Sequence, residues 1–368
     1  MGVLGMRGLD VQRRGWSAGV AGVASVLAAL GFALLFTGAR AFAGDWSLVD
    51  RSAGRAVAAG EGAGGLPVVL AGPAGEAAAP EAGPAREVPF EIAVIADTQS
   101  MVPLEWFVRG GRRERLLVRD KLRELRPDWV LLAGDAVGRG DSGVQWERFR
   151  EEFAGLPVWP ALGNHDLMGD RERALAHWFA AFPQLQGRRW YALRRGPLVV
   201  LVLDSNLRWL GEGERVAQQQ WLEQELDRAE ADPGVRAVAL VAHHPPYSLQ
   251  FVGGDLEVRE SFWEPARRRS KFLVFLSGHH HCHQHLEIEG RHLFVVGGGG
   301  APLFLRPRRD DLPPGAIVHD VRAVHHILRL RVESWGLRAI LLELTPAGAW
   351  RQVYSHDLPW RGRVAVLH

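Results

Sequence analysis

From residue 88 onward, the sequence of this 368-residue chain predicts a predominantly α/β fold. Short apolar runs of strand length alternate there with longer amphipathic stretches of helical period. The runs are continuously apolar, which strands require when both of their faces are covered. In the last third, turns at Glu289-Gly290 and Trp335-Gly336 separate paired apolar segments and add antiparallel hairpins.

The elements follow in order. "FEIAVIAD" predicts a first strand, and the next segment places Val118, Leu122 and Leu125 on one helical face. "DWVLLAGD", a helix around "VQWERFREEF" and "PVWPALGNHD" repeat the alternation. It continues through "PLVVLVLDS", the helical "ERVAQQQWLEQELDRAEA", "VRAVALVAHHPP", a helix near "RESFWEPARRR" and "FLVFLSGHHH". "HLEIEGRHLFVVGGGG" and "HHILRLRVESWGLRAILLELT" then read as the two hairpins.

Before residue 88 the composition changes. Arg7, Arg13 and Arg14 precede an uncharged stretch over 16–39 that is long enough to span a membrane, and "AFA" at 41–43 has the small-x-small form of a cleavage site. Residues 1–43 are therefore expected to be a signal peptide or a retained membrane anchor. Basic residues ahead of the span keep the amino end cytoplasmic and send the rest outward, secreted, periplasmic or anchored. Residues 44–87, dominated by Ala, Gly and Pro, read as a flexible linker, and 88–368 as the functional domain. With 44 basic against 42 acidic side chains, the net charge of +2 gives no reason to expect a nucleic-acid partner. A single cysteine, Cys282, excludes an intramolecular disulfide and reads as a small buried side chain.

Ligand-type residues stand where the apolar strands end: Asp97, Asp135, Asn164 with His165 and Asp166, His243, and the histidines from 279 onward. Ligands of α/β sheets gather beyond the carboxyl ends of strands, so these residues are expected in one crevice. Carboxylate and imidazole donors without a thiolate set suit Mn, Fe or Zn.

Taken together, "DTQ" at 97–99, "GD" at 134–135, "GNHD" at 163–166, "HHPPYS" from His243 and "GHHH" at 278–281 resemble the ordered signature of the calcineurin-like metallophosphoesterase superfamily. "LDSN" at 203–206 and "GGGGAP" at 297–302 resemble its purple-acid-phosphatase-like branch. The resemblance implies two packed mixed β-sheets flanked by helices and a phosphate-ester hydrolase with two metal ions. It implies that Asp135 bridges the metals, with Asp97 and His281 on the first and Asn164, His243 and His279 on the second. Two cations offset the charge of an anionic ester, acidify a bridging water and clamp oxygens across a spacing of about 3.5–4 Å. His165 is the family's candidate for protonating the leaving oxygen, with Asp166 orienting its ring. If the chain from 279 is extended, His279 and His281 share a face and His280 points away; His283 and His285 are then outlying or surface imidazoles, and His244 lies outside the ligand set.

Two positions depart from the signature. Gln99 stands where it has histidine, so Gln99 ligates weakly or Asp97, Asp135 and His281 hold the first metal without it. This leaves a catalytically weak or inactive metal-binding protein of the same fold as the alternative. Gly138 replaces the tyrosine expected three residues after the bridging aspartate in purple acid phosphatases, so an iron-tyrosinate colour is not expected. Substrate selection falls to loops 207–214 and 249–256; Trp209, Phe251 and Trp263 are candidates for the rim, although core packing is the commoner fate of an isolated aromatic.

Overall fold

A computed structural model describes residues 68–70, 89–99, 111–308 and 310–361 of the chain. Its strands, in chain order, begin with β1 (Val68–Leu70), β2 (Phe90–Ile95), β3 (Trp129–Leu132), β4 (Val158–Pro160), β5 (Tyr191–Arg195), β6 (Leu198–Val202) and β7 (Ala237–Val241). They continue as β8 (Phe272–Ser277), β9 (His283–Ile288), β10 (Arg291–Val296), β11 (Ile317–Arg322), β12 (His325–Val332), β13 (Gly336–Leu344) and β14 (Trp350–Pro359). The principal helices are α1 (Arg112–Leu125), α2 (Gly143–Glu152), α3 (Arg171–Ala181), α4 (Glu212–Ala231) and α5 (256–267).

Two mixed sheets result. One has eight strands in the order β1-β5-β6-β7-β8-β10-β9-β11, the other six in the order β14-β13-β12-β2-β3-β4. Each contains a parallel block: β6, β7, β8 and β10 form the centre of the larger sheet, and β2, β3 and β4 form one side of the smaller, ending at its β4 edge. Strand periodicity explains the continuous apolar runs. Val200 and Val202 of β6 and Ala239 and Val241 of β7 join the core shared with the six-stranded sheet, whereas Val199, Leu201, Val238 and Leu240 face a second core with α4 and α5. Helices α1, α2 and α3 add Leu122, Trp146 and Trp178 to the first core. Burial of each such side chain contributes about 1.5–3 kcal/mol relative to exposure, so these layers fix the strand ends that carry the site.

The expected hairpins form. Glu289 and Gly290 both have positive φ, 51° and 70°, as a tight two-residue turn between β9 and β10 requires. β12 and β13 pair antiparallel around the Trp335-Gly336 turn.

One expectation needs correction here. Val68–Leu70 lies inside the stretch expected to be a tether, yet it pairs antiparallel with β5, a pairing for which "VVL" has the right β-forming residues. Trp263, a rim candidate for which core packing is the stronger expectation, is only 1% exposed, because a π-helical turn at Arg259–Trp263 carries Phe262 and Trp263 together into the core. Trp209 and Phe251 are exposed, as a rim position requires. The stretch expected to be a targeting segment, residues 1–43, lies outside the described residues, among which no helix is long and apolar enough to cross a membrane.

Candidate metal centre

The donors stand on turns that follow parallel strands, and the backbone there is unusual. Of the six described non-glycine residues with positive φ, three are donors: Asp97 (59°), Asp135 (57°) and His279 (68°), each within three residues of the end of β2, β3 or β8. Left-handed residues of this kind are uncommon and concentrate at functional sites. Main-chain bonds lace the first two turns together: Asp97 N donates to Gly134 O at 3.1 Å, and Thr98 N to Asp135 O at 3.0 Å. Gly134, at φ 89°, permits this approach, since a Cβ there would strike the His243 ring.

The structure brings together all seven expected ligands. Asp97 Oδ2 accepts from the amide of His279 at 2.9 Å, while Asp97 Oδ1 lies 3.4 Å from His281 Nε2, an ion-pair separation without hydrogen-bond geometry. Asp135 Oδ1 accepts from the His165 amide at 2.8 Å, and Asp135 Oδ2 is 3.3 Å from His243 Nε2. Asn164 Oδ1 lies 3.0 Å from His243 Nε2 and 3.1 Å from His279 Nδ1. Gln99 Nε2 donates to Asp135 Oδ2 at 3.1 Å and is 3.4 Å from His281 Nε2, which puts its carboxamide between the two.

Backbone carbonyls orient the rings. Nδ1 of His243 donates to Ala133 O at 2.9 Å, and Nδ1 of His281 to Pro302 O at 2.8 Å. A carbonyl only accepts, so each Nδ1 carries hydrogen and each Nε2 faces the pocket as the atom available to a cation. The glycine run after β10 supports the same wall, with Gly299 N donating to Ala96 O and Ala301 N to Asp97 O, both at 2.9 Å.

Charge is concentrated in this pocket. Burial would raise Asp135, but the imidazoles of His243 and His165 outweigh it and hold the carboxyl well below the usual range. Burial likewise opposes protonation of His243, yet Asp135 and Asp97 lift it to about 9. His281 is raised in the same manner, with Asp97 prevailing over burial. His279 is held well below its ordinary value by burial and by neighbouring imidazoles.

Cations fit this donor set. Asp97, Asp135 and His243 each place one ligand atom within 4.8 Å of the others, as do His243, His244 and His279. Asp97 Oδ1 and Gln99 Oε1 are buried yet accept no hydrogen bond from the described residues, a costly arrangement for a protein without a cation. Oxygen and imidazole nitrogen donors suit Mn, Fe or Zn.

His165 and Asp166 have different surroundings from those expected. His165 Nδ1 donates to Gly138 O at 3.0 Å, which leaves Nε2 as its free ring atom. Asp166 does not orient that ring. Its carboxylate accepts instead from the amides of Asp135 (3.0 Å), Ala136 (2.9 Å), Val137 (3.2 Å) and Gly163 (3.0 Å), because the short helical turn His165–Leu167 carries the side chain inward under the Asp135 loop. Burial, then the charge of Asp135, pushes Asp166 up to about 7 against the pull of the Gly163 and Val137 amides.

Two histidine expectations change as well. His279 and His281 do share the pocket, but through a bend between β8 and β9 with His279 left-handed, not through an extended segment. His283 and His285 are fully buried on β9, not at the surface. His244, set outside the ligand set by its motif position, has its ring centroid 4.5 Å from that of His279 at a tilt of 51° and is fixed by Ser205 Oγ at 2.8 Å. The doubled histidine of "AHH" was its only sequence signal. Cys282 is buried as expected, and burial pushes its thiol up to about 12.

Carboxylates and imidazoles gathered at the carboxyl ends of both sheets define an α/β sandwich of metallohydrolase type. A family model for calcineurin-like phosphoesterase matches residues 90–283, just over half of the sequence, and the chain belongs to that family. Purple acid phosphatase 4 of Arabidopsis thaliana is 24% identical over 207 residues, covering 48% of this chain. The chain spans 60% of that curated relative. Among solved structures, purple acid phosphatase PPD1 from yellow lupin (Lupinus luteus) has a TM-score of 0.59 at 16% identity, covering 74% of this chain and 54% of its own. GAP50, described as the anchor in the inner membrane complex of Plasmodium, has a TM-score of 0.57 at 12% identity, covering 76% and 91%. A dimetal phosphatase from Danio rerio has a TM-score of 0.50 at 16% identity, covering 74% and 99%. At these identities the structures share the fold.

Proposed function

We propose that the chain is a metal-dependent phosphoesterase that hydrolyses phosphate esters at a dinuclear centre, acting outside the cytoplasmic membrane as a secreted, periplasmic or membrane-anchored protein. The observation that carries this reading is the convergence of Asp97, Asp135 and His243 within 4.8 Å around a buried carboxylate oxygen that accepts no hydrogen bond. Asp97, Asp135 and His281 would hold one cation, and Asn164, His243 and His279, again with Asp135, the other. When bound, the cations supply Lewis acidity and an acidified water to the anionic ester.

The remaining work falls to this chain's own groups. Gly138 O holds the His165 proton on Nδ1, so His165 Nε2 is the atom that carries a proton to the leaving oxygen. The carbonyls of Ala133 and Pro302 keep His243 and His281 Nε2 turned inward. Asp166 fixes the Asp135 loop through four amides. Export rests on the arginine-flanked apolar stretch at 16–39.

The Asp135→Ala variant tests the reading. It is expected to lose turnover of an aryl phosphate and retained metal while keeping its circular dichroism; full turnover would overturn the assignment. A catalytically weak metal-binding protein is favoured by one feature, the Gln99 amide that donates to Asp135 instead of ligating. Turnover with roughly two bound metal equivalents excludes it.

A further inference from the structure

Four imidazoles that the candidate centre does not use meet at the open edge of the sandwich. His285, His292 and His319 lie on β9, β10 and β11 of the eight-stranded sheet, and His356 lies on β14, the edge strand of the other. One ring nitrogen from each falls within 4.8 Å of all the rest. Ring centroids are 4.4 Å apart for His319 and His356, 4.6 Å for His285 and His319, and 4.9 Å for His285 and His356.

Strand register brings them there. Antiparallel pairing sets His285 opposite Phe294 and Glu287 opposite His292, so His285 and His292 are diagonal neighbours on one face. On β11 the pairing passes from Val318–Leu286 to Asp320–His285, which makes His319 the extra residue of a bulge. A bulge re-aims its side chain, and this one turns His319 onto His285. From β14, Tyr354 and His356 lie two apart and share a face.

The cluster has the partners of a built site. His319 Nε2 donates to Glu287 Oε2 at 2.8 Å, and His285 Nδ1 lies 2.7 Å from the Tyr354 hydroxyl. Such partners orient metal-ligating imidazoles through the nitrogen that does not bind. The inward His285 Nε2 lies 3.0 Å from His292 Nδ1, close to the edge of about 3.3 Å expected for a tetrahedron of Zn–N bonds. Burial holds His285 well below its ordinary value and lowers His292 to about 4, so both rings keep a lone pair at neutral pH.

We propose that His285, His292, His319 and His356 form a second, mononuclear site for a zinc-type divalent cation, closing the edge of the two-sheet sandwich. Four imidazoles make a complete tetrahedral set with no open position, which is the pattern of a structural site. Since β11 and β14 are edge strands of different sheets, the ion cross-links elements that no backbone ladder joins.

The test uses the full chain purified without a polyhistidine tag. Zinc-grown crystals measured at the zinc absorption edge are expected to show an anomalous peak enclosed by the four rings, and no peak there overturns the site. Cobalt(II) is then titrated into the Asp135→Ala variant, where the candidate centre is impaired. Intense tetrahedral absorption at roughly one equivalent is expected, and adding His356→Ala or His319→Ala abolishes it; absorption unchanged by both also overturns the proposal. If neither double variant folds, the anomalous map on the unaltered chain decides. The outcome is independent of the phosphoesterase reading, because it scores metal at the sheet edge and not turnover.

Discussion

The amide of His165 donates to Asp135 Oδ1 at 2.8 Å, while the next residue, Asp166, accepts from the amide of Asp135 at 3.0 Å. The turns after β3 and β4 are therefore locked reciprocally. Asp166 holds the backbone that presents Asp135, and His165 fixes the Asp135 carboxylate in one orientation.

Asp166→Asn is expected to break that lock. Each carboxylate oxygen accepts from two amides and an Asn offers only one oxygen, so two of the four buried N–H groups lose their acceptor, at about 1–3 kcal/mol each. Urea unfolding should show a loss of about 2–4 kcal/mol. A displacement of Asp135 by about 1 Å would also cost on the order of 100-fold in turnover. Unchanged stability would mean that the four bonds do not hold the turn.

His165→Asn is expected to discriminate between leaving groups. A proton delivered from Nε2 matters most where the departing alkoxide is basic, so an alkyl phosphate should lose about 10²–10⁴ in kcat. A nitrophenyl ester, whose leaving group needs little protonation, should lose far less. Equal losses on both substrates would assign His165 to positioning and not to proton transfer.

Much of this architecture was legible from local pattern. Continuous apolar runs marked β2, β3, β6, β7 and β8, and the residue types after them marked the donors, because each depends on a few neighbouring residues. What escaped depends on distant contacts. The role of Asp166 is set by amides from two separate loops, and the ring orientations of His243 and His281 by the carbonyls of Ala133 and Pro302. Tertiary pairing also buried His283 and His285, since nothing within "HCHQHLEIEG" shows that β10 and β11 will flank it.

Gln99→His is expected to strengthen cation retention. Gln99 already places its carboxamide 3.1 Å from Asp135 Oδ2 and 3.4 Å from His281 Nε2, so an imidazole there gains a place among existing donors. Changes in the donor set and its supports carry roughly 10–100-fold in affinity, and competition against a chelator should show a gain of at least about tenfold on that scale. Unchanged retention would place position 99 outside the coordination set.

Stability is expected to fall on acidification through His326, which is remote from the candidate ligands in sequence and fully buried against Val324 O at 2.9 Å. Burial lowers this imidazole to about 4 from 6.5, so between those values the unfolded chain binds the proton that the folded chain refuses. Unfolded protein therefore holds more protons, and stability rises with pH across the window and drops below it. The contribution amounts to about 2 kcal/mol between about pH 7 and about pH 5, by the free energy of one pKa unit. His326→Asn, which keeps a donor near the Nδ1 position, should flatten the pH dependence of urea unfolding by about that amount even if its absolute stability is lower. Parallel curves for the variant and the parent would show that His326 is not the group being titrated.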